Sequence, residues 1–164
     1  MKKLFNQHGF TLIELLIVIT IIATLAVSVF VALNPAQRIK DAQDARRTSD
    51  AQTLLTAIHQ SIVDNKGNLP SNLPAVGTES QVGTGASGCA LATTYCTIVG
   101  TACVNLRTGT YNVAKYLNTY PVDPIGGTTY DQTKTGYSVQ VDANNIVTVK
   151  ACATDGTAVI QASQ

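Results

Sequence analysis

A lone carboxylate in an oily run, two histidines and four cysteines are the residues with which this chain of 164 amino acids would do chemistry. Glu14 is the only ionisable side chain between His8 and Arg38, and it heads an uncharged, mostly apolar run from Leu15 to Leu33. A charge placed in hydrocarbon is costly, so such a residue is a mark of function. His8 and His59 are remote from each other, and no nucleophile–base pairing or glycine-rich phosphate loop accompanies them. Cys89, Cys96, Cys103 and Cys152 lack the CxxC spacing of a redox centre, and the same lack sets zinc aside. The expectation is a chain that is not an enzyme.

The element that positions Glu14 is legible in the composition. From Phe10 to Leu33 there are about two dozen residues, enough to cross a bilayer as a helix. Roughly a dozen large apolar side chains contribute about −0.5 kcal/mol each on an insertion scale, against about +3 kcal/mol for a carboxylate at the bilayer centre. The sum favours insertion, and Lys2 and Lys3 ahead of the run place the N-terminus on the cytoplasmic side. An ordinary secretory signal would have a shorter apolar stretch and a clear small-x-small cleavage site after it, although Ala23, Ala26, Ser28 and Ala32 keep that alternative in view. An ordinary signal anchor would explain the greasy run but not Glu14 or Gly9-Phe10.

The run Gly9-Phe10-Thr11-Leu12-Ile13-Glu14 resembles the class III leader and methylation site of type IV pilins and the pseudopilins of type II secretion. The likeness covers residues 1–66 well and the remainder loosely. It implies cleavage by a membrane peptidase after Gly9, methylation of the new N-terminus at Phe10, and an assembly role for Glu14. Phe10 and Glu14 are four positions apart, so an ammonium at Phe10 would face the carboxylate within one helix or across to a neighbouring subunit. The bland alternative leaves Glu14 reaching for the interface.

Beyond the run, Asn34-Pro35 predicts a kink or local melting near Val31 to Pro35. Ala51, Leu54, Leu55, Ile58 and Ile62 then recur at three- and four-residue spacing, an apolar stripe on an amphipathic helix. Arg46, Arg47, Asp50, Gln52 and Gln60 are assigned to the opposite, solvated side. Arg38, Lys40, Asp41, Asp44, Arg46, Arg47 and Asp50 form a patch of mixed sign, either a solvated face or a contact with neighbouring subunits. Gly67 is placed as the helix cap, with Pro70 beyond it. One helix of about 55 residues would span about 85 Å, more than a small domain needs for its own core.

The remainder, 67–164, reads as one small head. Residues 67–110 are rich in Gly, Ser, Thr and Ala, with short elements near Cys96 to Asn105. Val113 to Asn118 is read as a short helix or strand. Tyr137, Val139 and Val141, then Val147, Val149 and Ala151, alternate with polar residues around Asp142-Ala143-Asn144-Asn145, which predicts an antiparallel hairpin packed on the stripe. Four cysteines allow three pairings, and the sequence leaves the choice open; if all are oxidised, Cys152 pairs with a loop cysteine and staples the loop to the sheet. Tyr120-Pro121-Val122-Asp123-Pro124-Ile125-Gly126-Gly127 is a rigid turn that resembles a loop of major pseudopilins. That likeness brings calcium near Asp123 and Asp131 into view, against a thin supply of oxygen ligands; otherwise no cofactor is expected.

The expected fold is therefore α+β and pilin-like, a long N-terminal helix with a membrane-spanning and an amphipathic half packed on a small antiparallel sheet. Its parts are a leader, 1–9, a transmembrane and assembly helix, 10–33, an amphipathic continuation, 34–66, and the head. The resemblance implies a precursor in the cytoplasmic membrane and a mature form outside it. Its implied partners are identical or related pilin subunits, the prepilin peptidase and methylase, and pilus or secretion assembly machinery. Charged residues are 13% of the chain, with no basic stripe and no tryptophan, so no general nucleic-acid grip is expected. A pilus-like filament subunit, a pseudopilin of an export machine and a monomeric membrane-anchored binding domain are the functions in view.

Overall fold

The computed structural model describes residues 9–127 and 129–164, which leaves Lys2, Lys3 and His8 outside the described residues. The chain divides into two compact units, Met1–Ile39 and Lys40–Gln164. In the first, α1 runs from Leu12 to Leu33, and none of its side chains is buried against the rest of the chain. Its hydroxyls turn inward to the helix's own carbonyls. Thr20 donates to Ile17 O at 2.8 Å, Thr24 to Ile21 O at 2.9 Å, and Ser28 to Thr24 O at 2.9 Å.

The expected break falls on Asn34. This residue closes α1 in the left-handed conformation (φ 39°), and α2 (Pro35–Asp64) starts at the proline. A residue before proline is pushed out of the right-handed helical region, and asparagine tolerates the left-handed one better than most. Proline at a first helical position loses nothing, because that amide has no partner in any helix. The Asn34 carbonyl then accepts from Gln37 N at 3.0 Å and Arg38 N at 3.3 Å, which begins the α2 ladder.

In the second unit α2 buries Arg47, Ala51, Leu54, Leu55, Ala57, Ile58 and Ser61. Opposite lies a four-stranded sheet, made of β1 (Glu79–Gln81), β4 (Tyr137–Val141), β5 (Val147–Ala151) and β6 (Gln161–Ser163), in the order β1-β4-β5-β6. Every pairing in it is antiparallel. The hairpin is as expected. Tyr137 faces Ala151, Val139 faces Val149 and Val141 faces Val147, and these six form one core with Leu54, Leu55 and Ile58. Val139, Val147 and Val149 are wholly buried, each worth about 1.5–3 kcal/mol relative to exposure. Gly136, at φ +83°, leads into β4; a Cβ there would lie 2.9 Å from the Asp123 Cβ and 3.0 Å from the Tyr130 ring.

Two local readings are corrected. The helix cap is Lys66, not Gly67: Lys66 takes the left-handed conformation (φ 59°), its amide bonds to Val63 O, and Gly67 N reaches Ile62 O at 2.8 Å, the paired bonds of a Schellman ending. Val113 to Asn118 is neither strand nor helix but a single turn closed by Leu117 N on Val113 O at 2.9 Å. Within 67–110 the elements are short, as expected: β1 joins the main sheet, and β2 (Leu91–Ala92) pairs with β3 (Thr97–Ile98) in a small hairpin.

Candidate functional site

Gly9 and Phe10 precede α1 as exposed, non-helical backbone. A Cβ built on Gly9 would meet nothing within 4 Å, and Phe10 is 88% exposed. An open, irregular peptide bond is the form another protein's cleft can take in. Thr11 then caps the helix in extended conformation, with a reciprocal bond to Glu14. Thr11 N and Oγ1 each donate to Glu14 Oε2 at 2.8 Å, and Glu14 N donates to Thr11 Oγ1 at 3.3 Å. This capping box directs the carboxylate back toward the Phe10-Thr11 peptide.

The head holds a second charged centre. Arg47, assigned from its sequence to the solvated side, is 0% exposed. It lies four residues before Ala51, on the same stripe as Leu54, Leu55 and Ile58, and so points into the head. Its Nε donates to Asp123 Oδ2 at 2.8 Å and its Nη2 to Asp123 Oδ1 at 3.0 Å, a two-pronged pairing inside the core. Nη1 reaches Asp44 Oδ1 at 2.7 Å and Asp155 Oδ2 at 2.6 Å. Asp44 also accepts from Asp155 N at 3.1 Å and Gly156 N at 2.9 Å, while Tyr95 Oη donates to Gly156 O at 2.7 Å. One guanidinium thereby joins α2, the turn at Asp123 and the β5–β6 loop.

Burial works against the charge on Arg47, but hydrogen bonds to Asp123, Asp155 and Asp44 outweigh it and hold the guanidinium protonated more firmly than usual. Burial likewise works to raise the Asp44 carboxyl. The Asp155 amide, the Arg47 guanidinium and the Gly156 amide together bring it below the ordinary carboxylate range. Nearby, burial and a 2.8 Å hydrogen bond to Asp50 push the Tyr137 phenol well above its usual range.

The prokaryotic N-terminal methylation motif matches this chain over residues 4–30. The N-terminus is a type IV pilin or pseudopilin-like class III leader. The match takes in Gly9, Phe10 and Glu14 and leaves the head outside it. No curated protein and no solved structure matches the chain. With α1, the one described helix long and apolar enough to cross a membrane, the prepilin-type leader fits a membrane-anchored precursor.

The remaining candidates fall in the head. Cys89 is bonded to Cys103 and Cys96 to Cys152. The second bridge clamps the β2–β3 hairpin onto the sheet, as a loop staple. Cys96, Ile98 and Cys152, with Leu91, form a small cluster of their own. Cys96 Sγ lies 3.4 Å from Ser138 Oγ, and Ser138 alternates with the helix-facing Tyr137 and Val139, so the staple sits on the far face of the sheet. Asp123 is not confined to backbone amides: it accepts Ile125 N at 3.0 Å and gives its other contacts to Arg47. Asp131 Oδ1 accepts Thr133 N at 2.7 Å and Lys134 N at 3.1 Å, a local turn. Among the described residues no three His, Cys, Asp or Glu side chains gather in a metal-binding group. His59 is half-buried on α2, and its Nε2 has no hydrogen-bond partner among the described residues.

Proposed function

We propose that this chain is the structural subunit of a type IV pilus-like filament, cleaved after Gly9, methylated at Phe10 and polymerised through its N-terminal helix. The observation that carries the reading is a carboxylate at the start of a 22-residue helix that buries no side chain against its own chain, behind an accessible Gly9-Phe10 bond. In lipid such a helix is already among apolar neighbours, so assembly draws on packing and polar pairing. A new ammonium at Phe10 and the Glu14 carboxylate supply opposite charges whose pairing sets register between copies. The head is carried outside the membrane, where its bridges persist. The partners are further copies of this chain or close relatives, the processing peptidase and methylase, and the assembly machinery.

Mass spectrometry of the N-terminus on material sheared from cells tests this. A mature chain beginning with methylated Phe10 is expected, and an intact Met1 start in peptidase-competent cells defeats the proposal. Glu14→Leu is expected to insert normally and to abolish polymer. The Tyr120–Gly127 turn, which resembles a loop of major pseudopilins, favours a second reading, a pseudopilin forming a short rod for protein export. Long surface fibres under the electron microscope distinguish the first from the second. A chain that stays monomeric and tolerates Glu14→Leu would instead be an anchored binding domain.

A further inference from the structure

We propose that this chain is a substrate of thiol–disulfide isomerisation, because its two bridges interleave along the sequence. The cysteines occur in the order 89, 96, 103, 152, and the first bonds the third while the second bonds the fourth. Cys96 therefore lies inside the loop closed by Cys89 and Cys103. It is seven residues from each of them, whereas the native bridges join residues separated by 14 and 56. Loop closure disfavours each doubling of length by about threefold, and three doublings by about twentyfold. In an unfolded chain the incorrect Cys89–Cys96 and Cys96–Cys103 bridges thus close first.

The folded head shows why those bridges must be undone. Leu91 pairs with Ile98 and Ala92 with Thr97, so Cys89 and Cys96 stand at opposite ends of the β2–β3 hairpin. Cys89 N bonds to Thr101 O at 2.9 Å, and Cys96 O accepts Thr93 N at 2.9 Å. A Cys89–Cys96 bridge would draw these two positions together and preclude that pairing. It would also hold Cys96 away from Cys152, which is 1% exposed beside Ile98 in the finished head.

The exchange step itself is redox-neutral, and the second bridge then forms by a separate two-electron oxidation. A thiolate of an isomerase attacks Cys89 Sγ of the incorrect bridge, the S–S bond breaks, and Cys96 leaves as a thiolate. The Cys103 thiolate then attacks Cys89 Sγ, forms the native bridge and releases the isomerase thiolate. Cys96 and Cys152 next give up two electrons and two protons to a disulfide donor, such as glutathione disulfide, which becomes two thiols.

The test uses the full chain in detergent, reduced and unfolded, then reoxidised by diamide alone or by mixed glutathione and its disulfide with a purified thiol–disulfide isomerase. Mass spectrometry of unreduced thermolysin peptides maps the bridges. Diamide is expected to leave mainly seven-residue bridges, and the isomerase to raise the native pair several-fold. Equal native yields by both routes overturn the proposal. Cys96→Ser combined with Cys152→Ser removes the interleaving, and Cys89–Cys103 is then expected to form equally well without the isomerase. Continued dependence on it in that variant also overturns the assignment.

Discussion

In α1 the carboxylate of Glu14 takes its hydrogen bonds from a residue three positions away, whereas Arg47 in the head takes partners 76 and 108 positions away in sequence. Both are charges on apolar helix faces. The difference lies in what each connects. Glu14 is satisfied within one helical turn, so no other part of the fold depends on it and its carboxylate stays open to an outside partner. Arg47 is wholly enclosed, and α2, the Asp123 turn and the Asp155 loop all converge on it. A charge with local partners suits an assembly surface, and one with distant partners suits a keystone.

The largest effect is expected at Arg47. Arg47→Ala strands Asp123, whose side chain is 0% exposed, and is expected to destabilise the head by about 3–5 kcal/mol. Urea unfolding of the full chain in detergent, followed by tyrosine emission since the chain has no tryptophan, measures it. Arg47→Lys is expected to recover only part of the loss, because a lysine cannot form the two-pronged pairing with Asp123. Gly136→Ala comes next, at about 1–3 kcal/mol, from a positive φ and crowding against Asp123.

Acid gives a smaller, graded test. The folded-state pKa of Asp44 is lowered, so its stabilisation is full above the unfolded value of about 4 and is lost as pH falls through the folded value. Asp44→Asn is expected to flatten the fall in unfolding midpoint below about pH 4. Two substitutions mark the other extreme. Lys115→Ala removes an exposed ion pair with Asp64 and is expected to leave the midpoint unchanged. Glu14→Leu is also expected to leave the unfolding of the head unchanged, and a shift there would erase the distinction between the two charges.

The sequence made α1, the β4–β5 hairpin and the apolar stripe of α2 readable because each repeats its signal over several turns or pairs. β1 and β6 have three residues each, too few for alternation to show, and their place is set by backbone pairing with neighbours already formed. Gly9, Phe10 and Glu14 were legible as a contiguous motif. Arg47 was not, although its place four residues before Ala51 was a usable sign: a charged residue in register with a buried stripe needs a buried counterion. That counterion, Asp123, was noticed for its turn and as a candidate calcium ligand, not as a partner of Arg47. The bridges were undetermined because three pairings fit the same four cysteines, and only the folded head brings Cys96 beside Cys152.

The inward-turned hydroxyls of Thr20, Thr24 and Ser28 bear on how α1 changes surroundings. With each donor already engaged by a carbonyl of the same helix, this stretch has no hydroxyl to rehydrate when it passes from one dry environment to another. In the proposed filament, such a rod would carry the solvation of these hydroxyls with it, leaving the fit of shapes and the Phe10–Glu14 charge pair to govern how copies join.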